Sequence, residues 1–124
     1  MNGGELARLT RVTHGTTVIV GIEGDVDNSN ADAVRDEIDG SLSNLAFALI
    51  LDLSQTRYLD SAGIQLLLDL GERLRGRGQQ FLLCVPPRGP LRLTVTLFEL
   101  QRAFPVTGSP EEALAQIDAV GASE

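Results

Sequence analysis

The chain has 124 residues, of which 43% are hydrophobic, and it contains a single cysteine. These values predict one globular domain that buries its own core, and they exclude an internal disulfide. The net charge of −7 argues against direct binding to nucleic acid, and the absence of an apolar run of ~18 residues or of a signal peptide predicts a cytoplasmic protein with no membrane partner.

The chain begins with a predicted β-hairpin. Residues 5–12 and 16–24 are typical of two strands, and the turn between them contains His14 and Gly15, whose glycine can take a positive φ. His14 is the only histidine and can be interpreted as a catalytic base or as a solvent-facing turn residue. The second interpretation is preferred, because the predicted fold places no nucleophile near it.

A βαβ unit follows the hairpin. Apolar runs predict strands over 18–24 and 48–53, and apolar residues spaced by three and four predict a helix over 30–42 between them. Ser29 and Asp32 have the spacing of a capping box at the start of that helix. A right-handed crossover between two parallel strands is the expected connection.

Parallel strands bring two polar loops to the same edge of the sheet. Asp25 and Asp27 follow the first strand of the unit, and Asp60 and Ser61 follow the second. Taken alone, acidic residues after a strand are often solvated turn formers. Because α/β proteins usually keep their functional groups at this edge, we expect the two loops to form one recognition surface.

A long helix is predicted from Ser61 to about Arg75, with Gly71 packed closely against the sheet. The first turn of a helix has unpaired backbone N–H groups and the positive end of the helix dipole, so a phosphoryl group on Ser61 would be tolerated there. A serine at a helix start is also a common structural cap, which leaves two interpretations of Ser61.

The C-terminal third is predicted to contain one more buried strand and two helices. The strand covers 80–85 and includes Cys84, which is interpreted as a buried structural thiol rather than a reactive one. A helix is expected within 91–104, and an edge strand of at most three residues over 105–107. Ser109 then begins a helix as its N-cap, with proline at the first position and glutamate at the third.

Three segments of the chain resemble a known family in the family's own order. Asp60-Ser61-Ala62-Gly63 resembles the Asp-Ser-Ser/Thr-Gly signature of anti-sigma factor antagonists, which are small STAS-domain proteins of bacteria. The segment from Gly24 to Asp27 resembles the family's Gly-Glu-Leu/Ile-Asp, and 104–114 resembles its C-terminal strand and helix. The likeness covers about residues 5–120. It implies an α/β fold, a single STAS domain over 5–120, whose mixed sheet of four to five strands has a parallel βαβ core and packs against about four helices.

The resemblance also implies a mechanism. In the family, the serine after the aspartate is phosphorylated by an anti-sigma factor that is itself a serine kinase, and a separate phosphatase restores it. The unphosphorylated form binds the anti-sigma factor and releases the sigma factor. Phosphorylation is thereby assigned to Ser61, and the partner-binding residues are Asp25, Asp27, Asp60, Ser61, Ala62 and Gly63. Ala62 departs from the Ser/Thr that is common at that position, which leaves Ser61 as the sole hydroxyl of the motif.

Other functions are less favoured by the sequence. It has no Gly-x-Ser-x-Gly elbow, no phosphate-cradling glycine-rich loop and no His/Cys cluster, so we expect no enzymatic activity, no cofactor and no metal. Nucleotide binding at the loop edge is opposed by its three aspartates. The main alternative is a STAS scaffold subunit of a larger stress-sensing or lipid-transport assembly, whose serine is never modified. The sequence leaves the oligomeric state open.

Overall fold

The computed structural model describes residues 7–43 and 45–122. The first two residues of the predicted strand 5–12 lie outside these ranges. The elements, in chain order, are β1 (Ala7–His14), β2 (Thr17–Val26), α1 (Ala31–Ser41), β3 (Ala48–Asp52), β4 (Thr56–Leu59), α2 (Ser61–Gly76), β5 (Gln80–Cys84), α3 (Arg92–Leu97), a 3₁₀ turn (Leu100–Arg102), β6 (Val106–Thr107) and α4 (Pro110–Ala122).

A six-stranded mixed sheet organises the fold. The strands follow the order β1-β2-β3-β5-β6, and β4 pairs with β2 beside this path. The hairpin of β1 and β2 is antiparallel, whereas all other pairings are parallel. This arrangement confirms the predicted α/β fold with a parallel βαβ core. The sheet has one strand more than the predicted four to five.

The additional strand is β4, and the length of β2 explains it. β2 has ten residues, whereas β3 pairs only with its first half, Thr17 to Gly21. The second half of β2 therefore has backbone groups available for another partner. β4 occupies this position in parallel register from Gly24 to Val26, so β3 and β4 share one edge of β2.

Two cores lie on opposite faces of the sheet. On one face, α1, α2 and α3 cover aliphatic side chains that include Val20, Leu49 and Leu83. On the other face, α4 packs Ala113 and Ile117 against the central strands. Burial of each large aliphatic side chain stabilises the fold by roughly 1.5–3 kcal/mol relative to exposure. No helix within residues 7–43 and 45–122 has both the length and the hydrophobicity of a membrane span.

Close packing explains the glycine in the middle of α2. A Cβ atom at Gly71 would lie 2.9 Å from Cδ1 of Phe104 and 3.0 Å from Cδ2 of Phe81. These two aromatic rings meet edge to face, with centroids 5.0 Å apart. The predicted approach of α2 to its neighbours at Gly71 is therefore confirmed.

Two local predictions differ from the structure. The capping box of Ser29 and Asp32 does not form, because α1 begins at Ala31 and the Ser29 hydroxyl donates to Asp27 instead. The helix expected within 91–104 is confirmed, but it covers only α3, because Glu99 takes a left-handed conformation with φ of 50° between α3 and the 3₁₀ turn. A left-handed residue cannot continue a right-handed helix.

Candidate functional site

The candidate site lies where β2 and β4 end side by side. In the parallel register of these strands, Asp25 is the partner of Tyr58 and Val26 is the partner of Leu59. The Asp60 N–H then donates to the Val26 carbonyl over 3.2 Å. Asp25 therefore belongs to a strand, which extends two residues beyond the predicted 18–24. The two polar segments lie next to each other, as the parallel topology predicted, although the contact is made through β4.

Asp60 connects the two segments through both of its carboxylate oxygens. Its Oδ1 accepts the Gly63 N–H at 3.0 Å and thereby caps α2. Its Oδ2 accepts the Asn28 N–H, also at 3.0 Å. Because Asp60 accepts one hydrogen bond from each segment, it fixes the β2–α1 loop relative to the start of α2. Asn28 was not predicted as a site residue, because its contribution comes from the backbone.

Ser61 is the first residue of α2, and its side chain is exposed. Because Asp60 supplies the cap, the serine has no capping role. The structure shows no hydrogen bond from the Ser61 hydroxyl to any residue within the described ranges. The hydroxyl therefore projects from the positive end of a sixteen-residue helix and is open to a partner.

Ala62 and Gly63 contribute to this geometry from below the surface. Ala62 is half-buried against the core, and Gly63 is buried. A Cβ atom at Gly63 would lie 2.9 Å from the Val26 carbonyl oxygen and 3.1 Å from Cδ2 of Leu59. The glycine thus allows α2 to begin directly against the ends of β2 and β4. Its position indicates a packing role, with little side-chain surface for a partner to contact.

The β2–α1 loop is held by a buried asparagine. Asn30 is 2% exposed, and its side chain donates to the Asp25 carbonyl and accepts the Asp27 N–H, each at 2.9 Å. The Asp27 carboxylate accepts from the Ser29 hydroxyl and N–H, and these bonds, led by the hydroxyl, lower the pKa of Asp27. Asp27 therefore stays ionised at neutral pH. Asn30 was predicted only as a helix-start residue.

An aromatic ring completes the surface, and an arginine lies at its edge. Arg57 Nε lies 3.7 Å from Asp25 Oδ1, and both side chains keep access to solvent. Tyr58 is 54% exposed, so its ring can be contacted by a partner. Asp25, Asp27, Asn28, Tyr58 and Ser61 are hereafter called the Ser61 surface. Neither β4 nor its residues Arg57 and Tyr58 were predicted, although Thr, Tyr and Leu in this short segment are compatible with a strand.

The remaining sequence candidates lie elsewhere. His14 is exposed at the hairpin turn, at the opposite end of β2 from Asp25. Cys84 is buried, with Sγ 3.4 Å from Oγ1 of Thr107, and burial raises the pKa of its thiol to about 11. The thiol is therefore protonated at neutral pH and inert. Across the described ranges, no three His, Cys, Asp or Glu side chains are grouped so that they could hold a metal ion.

The sequence of this chain is similar to a known domain family and to a named bacterial protein. A sequence profile of the STAS domain matches residues 8–113. The anti-sigma-F factor antagonist RsfB of Mycobacterium tuberculosis is 25% identical over 118 residues, which cover 94% of each chain.

Solved structures share the fold. An anti-sigma factor antagonist from Mycobacterium paratuberculosis superposes with a TM-score of 0.75 at 24% identity, covering 90% of this chain and 94% of that one. The phosphorylated form of the Bacillus cell fate determinant SpoIIAA superposes with a TM-score of 0.60 at 20% identity, covering 90% and 98%. At these identities, the structural likeness shows the fold alone.

Proposed function

Because the chain belongs to the STAS-domain family, we propose that it is a cytoplasmic anti-sigma factor antagonist that changes partners when Ser61 is phosphorylated. The unphosphorylated chain would bind an anti-sigma factor of the serine-kinase type through the Ser61 surface, and the sigma factor would be released. The kinase would transfer the γ-phosphoryl group of its ATP to Oγ of Ser61, which loses its proton, and ADP would leave. A phosphatase would later hydrolyse the phosphate ester with water.

The state of the Ser61 hydroxyl carries this proposal. The side chain is exposed, Asp60 performs the capping, and the hydroxyl has no hydrogen-bond partner among the described residues. Modification of Ser61 would therefore break no contact that stabilises the described fold. RsfB, which aligns over 94% of this chain, is an anti-sigma-F factor antagonist by name, and this supports the same role here.

Charge would convert the modification into a loss of binding. A phosphoserine adds about −1.5 to −2 charges and three acceptor oxygens at neutral pH. Asp25 and Asp27 of this surface and the neighbouring Asp60 already make the region acidic, so a phosphoryl group that a partner buries here would add like-charge repulsion and the cost of desolvating a dianion. A loss of about 2.7 kcal/mol lowers affinity about a hundredfold, which is enough to exchange partners without refolding.

Calorimetric titration against the anti-sigma factor kinases encoded in the same genome tests the proposal. For the kinase that binds the unmodified chain, Ser61→Asp should weaken binding about a hundredfold or more, and Ser61→Ala should bind without being released by ATP. Ser43→Asp is a matched control, because it adds the same charge at an exposed serine in the α1–β3 connection, away from the Ser61 surface. Equal affinity of all three variants would contradict the switch.

Phosphopeptide analysis of the protein from its native cells provides an independent test. Occupancy at Ser61 that changes with growth condition would support the switch. If the Ser61 peptide is well covered and never phosphorylated, the non-switching STAS scaffold becomes the better proposal. Co-purification of the chain with a large assembly would then be expected.

A further inference from the structure

The outer edge of β1 is a second candidate for binding a partner. β1 is a terminal strand of the sheet and pairs with β2 over eight residues, while no strand of the described chain lies along its other edge. Residues from Thr10 to His14 are exposed. A long strand with an unpaired row of N–H and C=O groups is a template on which another extended segment can add.

Charge indicates which segment would fit. β1 contains Arg8 and Arg11 and no acidic residue, although the whole chain has a net charge of −7. Other arginines, such as Arg35 and Arg73, lie close to carboxylates on their own helix or on a neighbouring one. Within the described ranges, no carboxylate oxygen lies within 4.0 Å of the Arg8 or Arg11 guanidinium. This strand is therefore a basic segment of an acidic protein.

An open cleft extends this basic edge across the sheet. It has a volume of about 570 Å³, and its lining includes Arg8, Arg57, Glu23, Ser54 and Gln55. The cleft lies beside β1 because α4 covers the sheet over β3, β5 and β6. Glu23 is the register partner of Arg8 on the side away from the free edge, and Arg57 is near Asp25. The guanidinium groups of Arg8 and Arg57 keep hydrogen-bond donors available for a carboxylate that enters from the free edge.

We propose that the β1 edge binds an extended acidic segment of a protein partner, which adds to the sheet as a further strand. One acidic side chain of that segment would enter the cleft between Arg8 and Arg57, and another would lie opposite Arg11 on the other face. Val12 is 59% exposed and shares a face with Arg8, so an apolar residue fits opposite it. This docking surface meets the edge of the Ser61 surface at the Arg57–Asp25 contact, but it includes neither Ser61 nor α2 and does not depend on phosphorylation.

Amide NMR of the full ¹⁵N-labelled chain tests the proposal with a defined probe. The probe is an acetylated nonapeptide, Thr-Glu-Val-Glu-Glu-Val-Glu-Val-Thr, and its control has lysine in place of every glutamate. The acidic peptide should shift the amide signals of residues 7–14 and slow their hydrogen exchange, and the lysine peptide should not. Shifts confined to other elements, or equal binding of both peptides, would overturn the proposal.

Variants separate charge from main-chain pairing. Arg8→Gln combined with Arg11→Gln should weaken binding at least tenfold, whereas Arg35→Gln removes one positive charge on α1 and should leave affinity unchanged. Thr13→Pro should also weaken binding, because proline cannot donate to an added strand, and the spectrum of the free variant verifies that it is folded. Unchanged affinity in the double variant would contradict the inference.

Two further measurements define the ligand and the site. Ser61→Asp should bind the acidic peptide as the unmodified chain does, so failure of the proposed switch and failure of this inference can be told apart. If inorganic phosphate displaces the peptide while the amides of β1 show no protection, the cleft binds small anions and strand addition is wrong. Retained protection of β1 in the presence of phosphate supports it.

Discussion

Helices α2 and α4 each have a serine at their start, but the two serines have different environments. At α4, Ser109 is the N-cap, and its Oγ accepts the Glu112 N–H at 3.2 Å. Glu112 closes the turn by accepting the Gly108 N–H at 3.1 Å. At α2, the cap is Asp60, and Ser61 follows it at the first helical position. The serine of α4 is thus engaged in structure, and the serine of α2 is available.

An offset of one residue accounts for the difference. An N-cap oxygen points back over the first turn toward the unpaired N–H groups, whereas the side chain at the next position points outward. The aspartate before Ser61 therefore takes over the structural function that a serine performs at α4. It also accepts the Asn28 N–H, so the same residue orders the adjacent loop. The Asp-Ser pair combines a rigid support with an unengaged hydroxyl.

The largest expected effect of a substitution at these two helix starts concerns their glycines. Gly63→Ala should lower the free energy of unfolding by about 3 kcal/mol, because the new Cβ would lie 2.9 Å from a buried backbone carbonyl that cannot move without disturbing β2. Gly108→Ala at the start of α4 places its Cβ no closer than 3.4 Å to Pro87, and we expect a change within about 0.5 kcal/mol. Urea denaturation of both variants measures the contrast.

Equal stability of the two variants would show that the approach of Gly63 to the Val26 carbonyl does not strain the alanine variant. In that case, the packing explanation for the glycine of the motif would be wrong. If the Gly63→Ala variant is as stable as the unmodified chain and its amide signals near Val26 are unchanged, the contact is unimportant. If those signals shift, the start of α2 has moved away from β2. The NMR spectrum thus separates relaxation of the helix from absence of strain.

The next effect concerns the cap of α2. Asp60→Ala removes acceptors from the Gly63 and Asn28 N–H groups, and we expect a loss of about 2 kcal/mol. Asp60→Asn keeps one acceptor oxygen and should lose about half as much. Denaturation midpoints provide both values, and faster hydrogen exchange at Asn28 should accompany the alanine variant. If both variants unfold at the same urea concentration, the two-oxygen role of Asp60 is contradicted.

Much of the fold was predictable, because local patterns and tertiary packing agree. The hairpin, the parallel βαβ unit and the start of α4 follow from turn residues, apolar runs and capping residues, and the structure confirms them. The expectation that the segments of Asp25 and Asp60 lie side by side follows from parallel topology, although the contact itself is made through β4, which was not predicted. The sequence also predicted that Gly71 packs closely, since a glycine within a helix otherwise costs about 1 kcal/mol.

The missed features depend on contacts or backbone conformations that the local sequence pattern does not show. Four residues cannot predict β4, since it becomes a strand only because β2 extends beyond β3. The box predicted at Ser29 does not form, because Asn30 and Asp27 use their side chains to hold the loop after β2. At Glu99, no glycine marks the left-handed residue that ends α3. In each case, the residues of the segment itself do not reveal the feature that determines its structure.

The smallest effect provides the sharpest test of the comparison between the two serines. Ser109→Ala should destabilise the chain by about 1 kcal/mol, because the Glu112 N–H loses its acceptor. Ser61→Ala should change stability by less than about 0.5 kcal/mol, since the exposed hydroxyl supports no described contact. The same substitution is made at the start of both helices, so the difference in urea midpoint isolates the role of the hydroxyl. If Ser61→Ala lowered the stability as much as Ser109→Ala does, Ser61 would share the capping of α2 with Asp60. A kinase could then reach the Ser61 hydroxyl only if the start of the helix opened.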